Sequence, residues 1–168
     1  MAPIHRRQCR VSAVVIREAT SADAAEVAET WLRARRASLP VIPAPVHGDD
    51  EVRAWFADVV VPTRETWVAE VDGAVVGLLV LDSRWVDQLY VDPDHTRRGL
   101  GSQMLDLAKQ KRPDGLELWT FQANAGARRF YQRHGFAEVG RTDGDNEEGA
   151  PDVRLRWDPT PAPPPSGL

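Results

Sequence analysis

The residues best suited to chemistry lie in two short runs. The first is Leu89-Tyr90-Val91-Asp92-Pro93-Asp94-His95-Thr96-Arg97-Arg98-Gly99-Leu100-Gly101-Ser102, where an apolar strand pattern passes through a turn into an amphipathic helix opened by two glycines. Such a junction leaves backbone N–H groups unpaired at the positive end of the helix dipole. Glycine lets a phosphate approach them closely, which makes the loop a pyrophosphate cradle, and Arg97 and Arg98 add positive charge. The two common nucleotide loops do not fit. There is no Gly-Lys-Ser/Thr ending, and no third glycine with a downstream acid. The second run is Asn124 to Phe136. On a helix Asn124, Arg128 and Tyr131 fall at i, i+4 and i+7 and share a face, while Ala127, Phe130 and His134 share the neighbouring apolar one. A tyrosine phenol, with a pKa near 10, is a proton donor at neutral pH.

The elements that must position these runs can be read from periodicity. Val14-Val15-Ile16 is a short strand, and Ser21 caps a helix whose buried stripe is Ala24, Val27, Ala28, Trp31 and Leu32. Three prolines between Ser38 and Gly48 end it. A second helix carries Val52, Trp55, Phe56, Val59 and Val60. Thr66 to Val71 and Ala74 to Leu81 read as strands joined by an Asp72-Gly73 hairpin turn. Trp85 to Val91 is a third strand, and after the glycine loop Leu100, Met104, Leu107 and Ala108 line a helix. Pro113-Asp114-Gly115 stops it, Leu116 to Phe121 is a strand, and a last helix spans Asn124 to His134. Strands around Phe136 to Arg141 and Val153 to Trp157 follow. The expected order is β-α-α-β-β-β-α-β-α-β-β, an α/β domain over 13–158. Residues 1–12 and the proline-rich 159–168 are expected to be disordered.

Composition narrows the function. The 168 residues, 42% apolar, suit one domain with one sizeable core. A formal charge of −4 with no long basic block argues against a nucleic-acid binder. The lone Cys9 allows no internal disulfide and has no activating partner nearby, which fits a reducing, cytoplasmic setting and speaks against covalent catalysis. No apolar run is long enough to span a membrane, and no signal-peptide pattern follows Arg10.

Both runs resemble the motifs of the GNAT (GCN5-related N-acetyltransferase) superfamily. Leu89-Tyr90-Val91-Asp92-Pro93 matches its Leu-Tyr-Val-x-Pro strand, and Thr96-Arg97-Arg98-Gly99-Leu100-Gly101 its six-residue phosphate loop, departing at Thr96 where the family prefers Gln or Arg. Asn124 to Phe136 matches its Asn-x-x-Ala-x-x-Phe-Tyr-x-x-x-Gly-Phe motif. The resemblance covers residues 14–157. It implies a mixed central sheet of six to seven strands flanked by about four helices and splayed at the central strand pair. It also implies acetyl-CoA as donor, no metal, and direct transfer of acetyl to an amine. Residues Thr96 to Ser102 would then hold the pyrophosphate. Leu89 and Val91 would offer backbone N–H groups to the thioester oxygen, and the pantetheine would bond in the splay like an added strand. Asn124, with Arg128 on the same helix face, would contact the cofactor arm, and Tyr131 would protonate the leaving thiolate.

The general base is open. Asp87, which by simple alternation shares the face of Leu89 and Val91, stands beside Glu70, Glu117 (expected to be a solvated strand residue) and a chain of waters. The stretch Thr142 to Asp158 carries six acids against two arginines, and Glu147, Glu148 and Asp152 are candidates for binding a cationic acceptor. The expected acceptor is a small cationic amine, and a homodimer is compatible with the sequence. The alternatives are a protein lysine or N-terminal acetyltransferase and a non-catalytic CoA-binding module.

Overall fold

A computed structural model of the chain describes residues 12–159; the expected disorder of both termini, and Cys9, fall outside the described residues except at their inner edges. The elements are β1 (Val14–Glu18), α1 (Ala24–Ala37), α2 (Asp49–Trp55), a π turn (Phe56–Val60) leading into α3 (Val61–Thr63), β2 (Glu65–Val71), β3 (Ala74–Asp82), β4 (Trp85–Val91), α4 (Leu100–Lys111), β5 (Leu116–Phe121), α5 (Ala125–Arg133), β6 (Ala137–Thr142) and β7 (Asp152–Trp157). The second helix was expected to be regular. It widens because Pro62 has no N–H for the Asp58 carbonyl, and the Val61 N–H reaches back to Phe56 instead.

Seven strands form one sheet in the order β1-β2-β3-β4-β5-β7-β6, antiparallel except between β4 and β5. The Asp72-Gly73 turn has φ of 51° and 82°, the double left-handed pair that a two-residue hairpin demands. On one face α1, α2 and the π turn bury Val27, Ala28, Trp31, Leu32, Val52 and Phe56 against Val68, Leu78 and Val80. On the other, Leu100, Met104, Leu105 and Ala108 of α4 pack on Leu79, Leu81, Val86, Leu118 and Leu155, and Tyr131 and Phe136 join them.

The expected splay is present. β4 and β5 share a single register pair, Trp85↔Glu117, extended by the Glu117 N–H to Arg84 carbonyl bond of 3.0 Å. Beyond it β5 pairs along its whole length with β7, and β4 follows β3. The sheet therefore opens between the carboxyl ends of β4 and β5, where the glycine loop and α5 begin.

Candidate active site

Strand β4 carries the geometry of the site. The Asp92 N–H donates to the Val76 carbonyl at 2.8 Å, so by antiparallel alternation Tyr90 also bonds toward β3, while Leu89 and Val91 direct their N–H groups away from it. On that side β5 has already diverged. The two N–H groups thus face the opening of the sheet.

A cavity of about 440 Å³ occupies the opening, lined by Leu89, Tyr90, Val91, Thr96, Trp119, Thr120, Phe121 and Asn124, and closed by Arg35, Ser38 and Ile42 from the end of α1. At its mouth Thr96, Arg97, Arg98 and Gly99 are exposed, and the two arginines make no ion pair among the described residues. Gly99, with φ of 80°, is the left-handed residue from which α4 starts, and a β-carbon there would meet nothing within 4 Å. Leu100 is buried as the first anchor of α4, and a β-carbon on Gly101 would touch the Phe130 ring at 3.4 Å. The Thr96 hydroxyl donates to the Pro93 carbonyl at 3.1 Å and keeps its acceptor lone pairs. Ser102 meets His134 Nε2 at 3.0 Å, tying α4 to α5.

Asn124 lines the cavity and caps α5, its Oδ1 accepting from the Ala127 N–H at 3.1 Å. Arg128 turns to the Gln122 carbonyl (3.2 Å) and Glu138 (3.5 Å) and does not line the cavity. Tyr131 sits behind the lining, 9% exposed, its ring edge-on to Phe130 and Phe136 at 5.1 and 5.4 Å. No side-chain hydrogen bond among the described residues involves its hydroxyl, which is not one of the fully buried atoms left without a partner. Burial pushes this phenol well above its usual value, and the nearby Tyr90 adds to the effect.

Simple alternation fails at Asp87. The register shifts between Val80↔Gln88 and Leu81↔Val86, so Asp87 is the extra residue of a β-bulge. Val86 and Leu89 both face the α4 side, and the two residues between them face the other way: Gln88 accepts from the Trp31 indole at 2.9 Å, and Asp87 pairs with Arg64 at 2.5 Å. Asp87 therefore lies opposite Leu89 and Val91, in a second cavity of about 600 Å³. That cavity is walled by Trp31 and Trp55 and edged by Glu51, Asp87, Glu147 and Glu148, with Arg64 and His47 among them.

The acids of the β6–β7 connection divide. Glu148 pairs with the buried Arg35 at 3.1 Å, and Glu147 stands 3.4 Å from His47 at the rim. Asp152 does not line the cavity; it is buried, accepting from the Thr142 hydroxyl at 2.5 Å and the Asn146 amide at 3.0 Å, and so holds the connection in shape. The two other strand acids are spoken for. Glu70 binds Arg17, and Glu117, expected to be solvated, is 4% exposed and clamped by Arg156 and Arg84, which hold its carboxyl below the usual range against the opposing effect of burial. Sequence reasoning missed Arg35, His47 and Arg64. Only Arg35 left a signal, a charge at the i+4 position from Trp31 on the buried stripe of α1.

Comparison with known proteins bears on the family and the fold. Residues 62–138 match the model of the acetyltransferase (GNAT) domain. The peptidyl-lysine N-acetyltransferase YiaC of Escherichia coli is 30% identical over 123 residues, covering 73% of this chain and 82% of that protein. The peptidyl-lysine N-acetyltransferase YjaB of Salmonella typhimurium is 33% identical over 86 residues, 51% of this chain and 59% of that one. The solution structure of apo YjaB from Escherichia coli superposes with a TM-score of 0.72 at 23% identity, covering 88% of this chain and 99% of that one. The structure of yncA from Salmonella typhimurium with its cofactor acetyl-CoA gives 0.65 at 20% identity over 94% of this chain and 100% of that one. With its splayed seven-stranded sheet, both sequence motifs and these relatives, the chain belongs to the GNAT family of N-acetyltransferases.

Proposed function

We propose that this acetyltransferase moves acetyl directly from acetyl-CoA to a primary amine that enters through the acidic, indole-walled cavity. The observation that carries the reading is the bulge at Asp87. It makes one strand serve two cavities, with Leu89 and Val91 toward the donor side and Asp87 and Gln88 toward the acid side. The glycine loop holds the pyrophosphate on the backbone N–H groups at the start of α4, with Arg97 and Arg98 beside it. As the amine nitrogen bonds to the thioester carbon, the Leu89 and Val91 N–H groups take the negative charge growing on the carbonyl oxygen. The attacking nitrogen is the neutral amine formed when the ammonium gives a proton to Asp87, directly or through water. The C–S bond then breaks, the thiolate takes a proton from Tyr131, and the proton leaving the new amide nitrogen returns through water to the tyrosinate. Arg64 holds the Asp87 carboxylate in place while no substrate is bound.

The acceptor is an alkylammonium compound. Four carboxylates draw its charge, and the indoles of Trp31 and Trp55 give its chain an apolar wall. A small cationic amine is the first reading, and a lysine side chain of a protein is the second, favoured by the names of the YiaC and YjaB relatives. Release of free thiol from acetyl-CoA across a panel of lysine, N-acetyl-lysine amide, polyamines, basic peptides and neutral amines tests this. Turnover confined to cationic amines is the expected result. Turnover with neutral amines alone refutes the acidic route, and no turnover with any amine returns the chain to a CoA-binding module.

A further inference from the structure

Arg35 is accounted for neither by the phosphate loop nor by the acid cavity. It continues the buried stripe of α1 and is only 4% exposed. Its guanidinium lies 5.3 Å from the ring of Trp31 and 5.6 Å from that of Phe121. Nη2 donates to Glu148 Oε1 at 3.1 Å and to the Pro43 carbonyl at 3.3 Å, whereas the buried Nε has no partner among the described residues. An ion pair with its arginine buried and one of that arginine's donors orphaned is a poor device for stability, because desolvating the guanidinium offsets much of the attraction. Its location is more informative. Arg35 lines the donor cavity and Glu148 the acid cavity, so the pair forms the wall between them.

We propose that Arg35 is the positioning residue of the acceptor site: it grips one oxygen of Glu148 and leaves Oε2, which takes no bond among the described residues, to receive the acceptor's ammonium beside the thioester. The inference rests on the acceptor route proposed above. Each carboxylate of the acid cavity has a different standing. Asp87 is committed to Arg64, and Glu51 and Glu147 are 69% and 75% exposed around His47. Glu148, at 21%, is the one held at the inner wall, and it comes from a connection, residues 143–151, with no regular structure of its own. Asp152 fixes that connection at its base, and Arg35 fixes it at Glu148. Without Arg35 a carboxylate on such a segment has no reason to stay at the wall, since an exposed ion pair contributes little. The planar guanidinium, clasped by two rings, supplies the missing rigidity.

A double-mutant cycle tests the assignment, using acetyl-CoA and the cationic amine that turns over fastest. Arg35→Met and Glu148→Gln should each raise the acceptor KM roughly tenfold, the scale of one charge-assisted hydrogen bond, with the acetyl-CoA KM changed by less than about twofold. The double variant should be no worse than the poorer single one, because the second change removes a contact already lost. Arg35→Lys, which keeps the charge without the fork, should recover part of the loss. Should Arg35→Met fail to fold, Arg35→Lys and Glu148→Gln complete the same cycle. Losses that multiply, an unchanged acceptor KM, or an acetyl-CoA KM that rises in step would each overturn the role of Arg35. A wild-type enzyme inactive on every cationic amine would instead overturn the acceptor route, and this inference with it.

Discussion

Replacing Tyr131 with phenylalanine separates a core tyrosine from a proton donor. The ring packs edge-on to Phe130 and Phe136, and phenylalanine keeps both contacts. No side-chain hydrogen bond among the described residues involves the hydroxyl, and it is not one of the fully buried unpaired atoms, so its loss leaves no protein partner stranded. Folding stability should change by less than about 1 kcal/mol, and the melting temperature by less than about 4 °C. Turnover should fall roughly ten- to a thousandfold, which is about 1.4–4 kcal/mol of barrier, with the affinity for acetyl-CoA nearly unchanged. The pH profile sharpens the test. Burial holds the phenol above its usual value of 10, so it stays protonated throughout the neutral range and the ratio of wild-type to variant rate should be flat from about pH 6 to 9. Single-turnover thiol release is the assay, since it reads the chemical step apart from product release. An unchanged single-turnover rate, or a stability loss above about 2 kcal/mol, would return Tyr131 to the core.

Other consequences can be checked alongside. Gly99→Ala should cost about 1 kcal/mol, the strain of a left-handed φ for an L-residue with open space around its β-carbon, and should keep the rise in melting temperature on adding acetyl-CoA; Gly99→Glu should abolish that rise. Glu147→Gln should raise the acceptor KM at low ionic strength and lose its effect as salt screens the exposed rim. Asp152→Asn should raise the same KM with little relief by salt, because it disturbs the bonds to Thr142 and Asn146. Arg17, through its hydrogen bonds, holds the Asp23 carboxyl well below its usual value of 3.8, with the Thr20 N–H helping. A depressed carboxyl stabilises the fold above that value, so the deficit of Asp23→Asn in urea unfolding should be full at pH 7 and shrink as pH drops below about 3.8.

The elements of the proposed donor side were legible because they are local: a glycine loop, a strand end and a helix cap are each set by residues close in sequence. The side chains were less so, since Arg128, placed on the face of Asn124 by helix spacing, turns instead to Gln122 and Glu138. The acceptor side was not. Asp87 was assigned to the wrong face because one extra residue in β4 inverts the alternation, and nothing in Trp85 to Val91 announces the bulge. The second cavity gathers residues from α1, the α1–α2 connection, α2, β4 and the β6–β7 connection, a set that only tertiary packing brings together. Glu148 was named from its acidic run, but its partner lies 113 residues away. Asp152 looked like a ligand because it is charged beside a loop; burial and two local donors give it a scaffolding place instead.

The single register pair between β4 and β5 also bears on how the domain comes apart. Strands β1 to β4 form one continuous ladder and β5 to β7 another, and across the divide the sheet contributes little beyond Trp85↔Glu117. The two ladders depend on the shared apolar layer beneath α4 to unfold together. Hydrogen exchange should therefore find two cooperative units, with amides at the diverging ends of β4 and β5 the first to exchange in the free protein. A donor lodged between them would lock the units into one, so that substrate occupancy and resistance to proteolysis rise together.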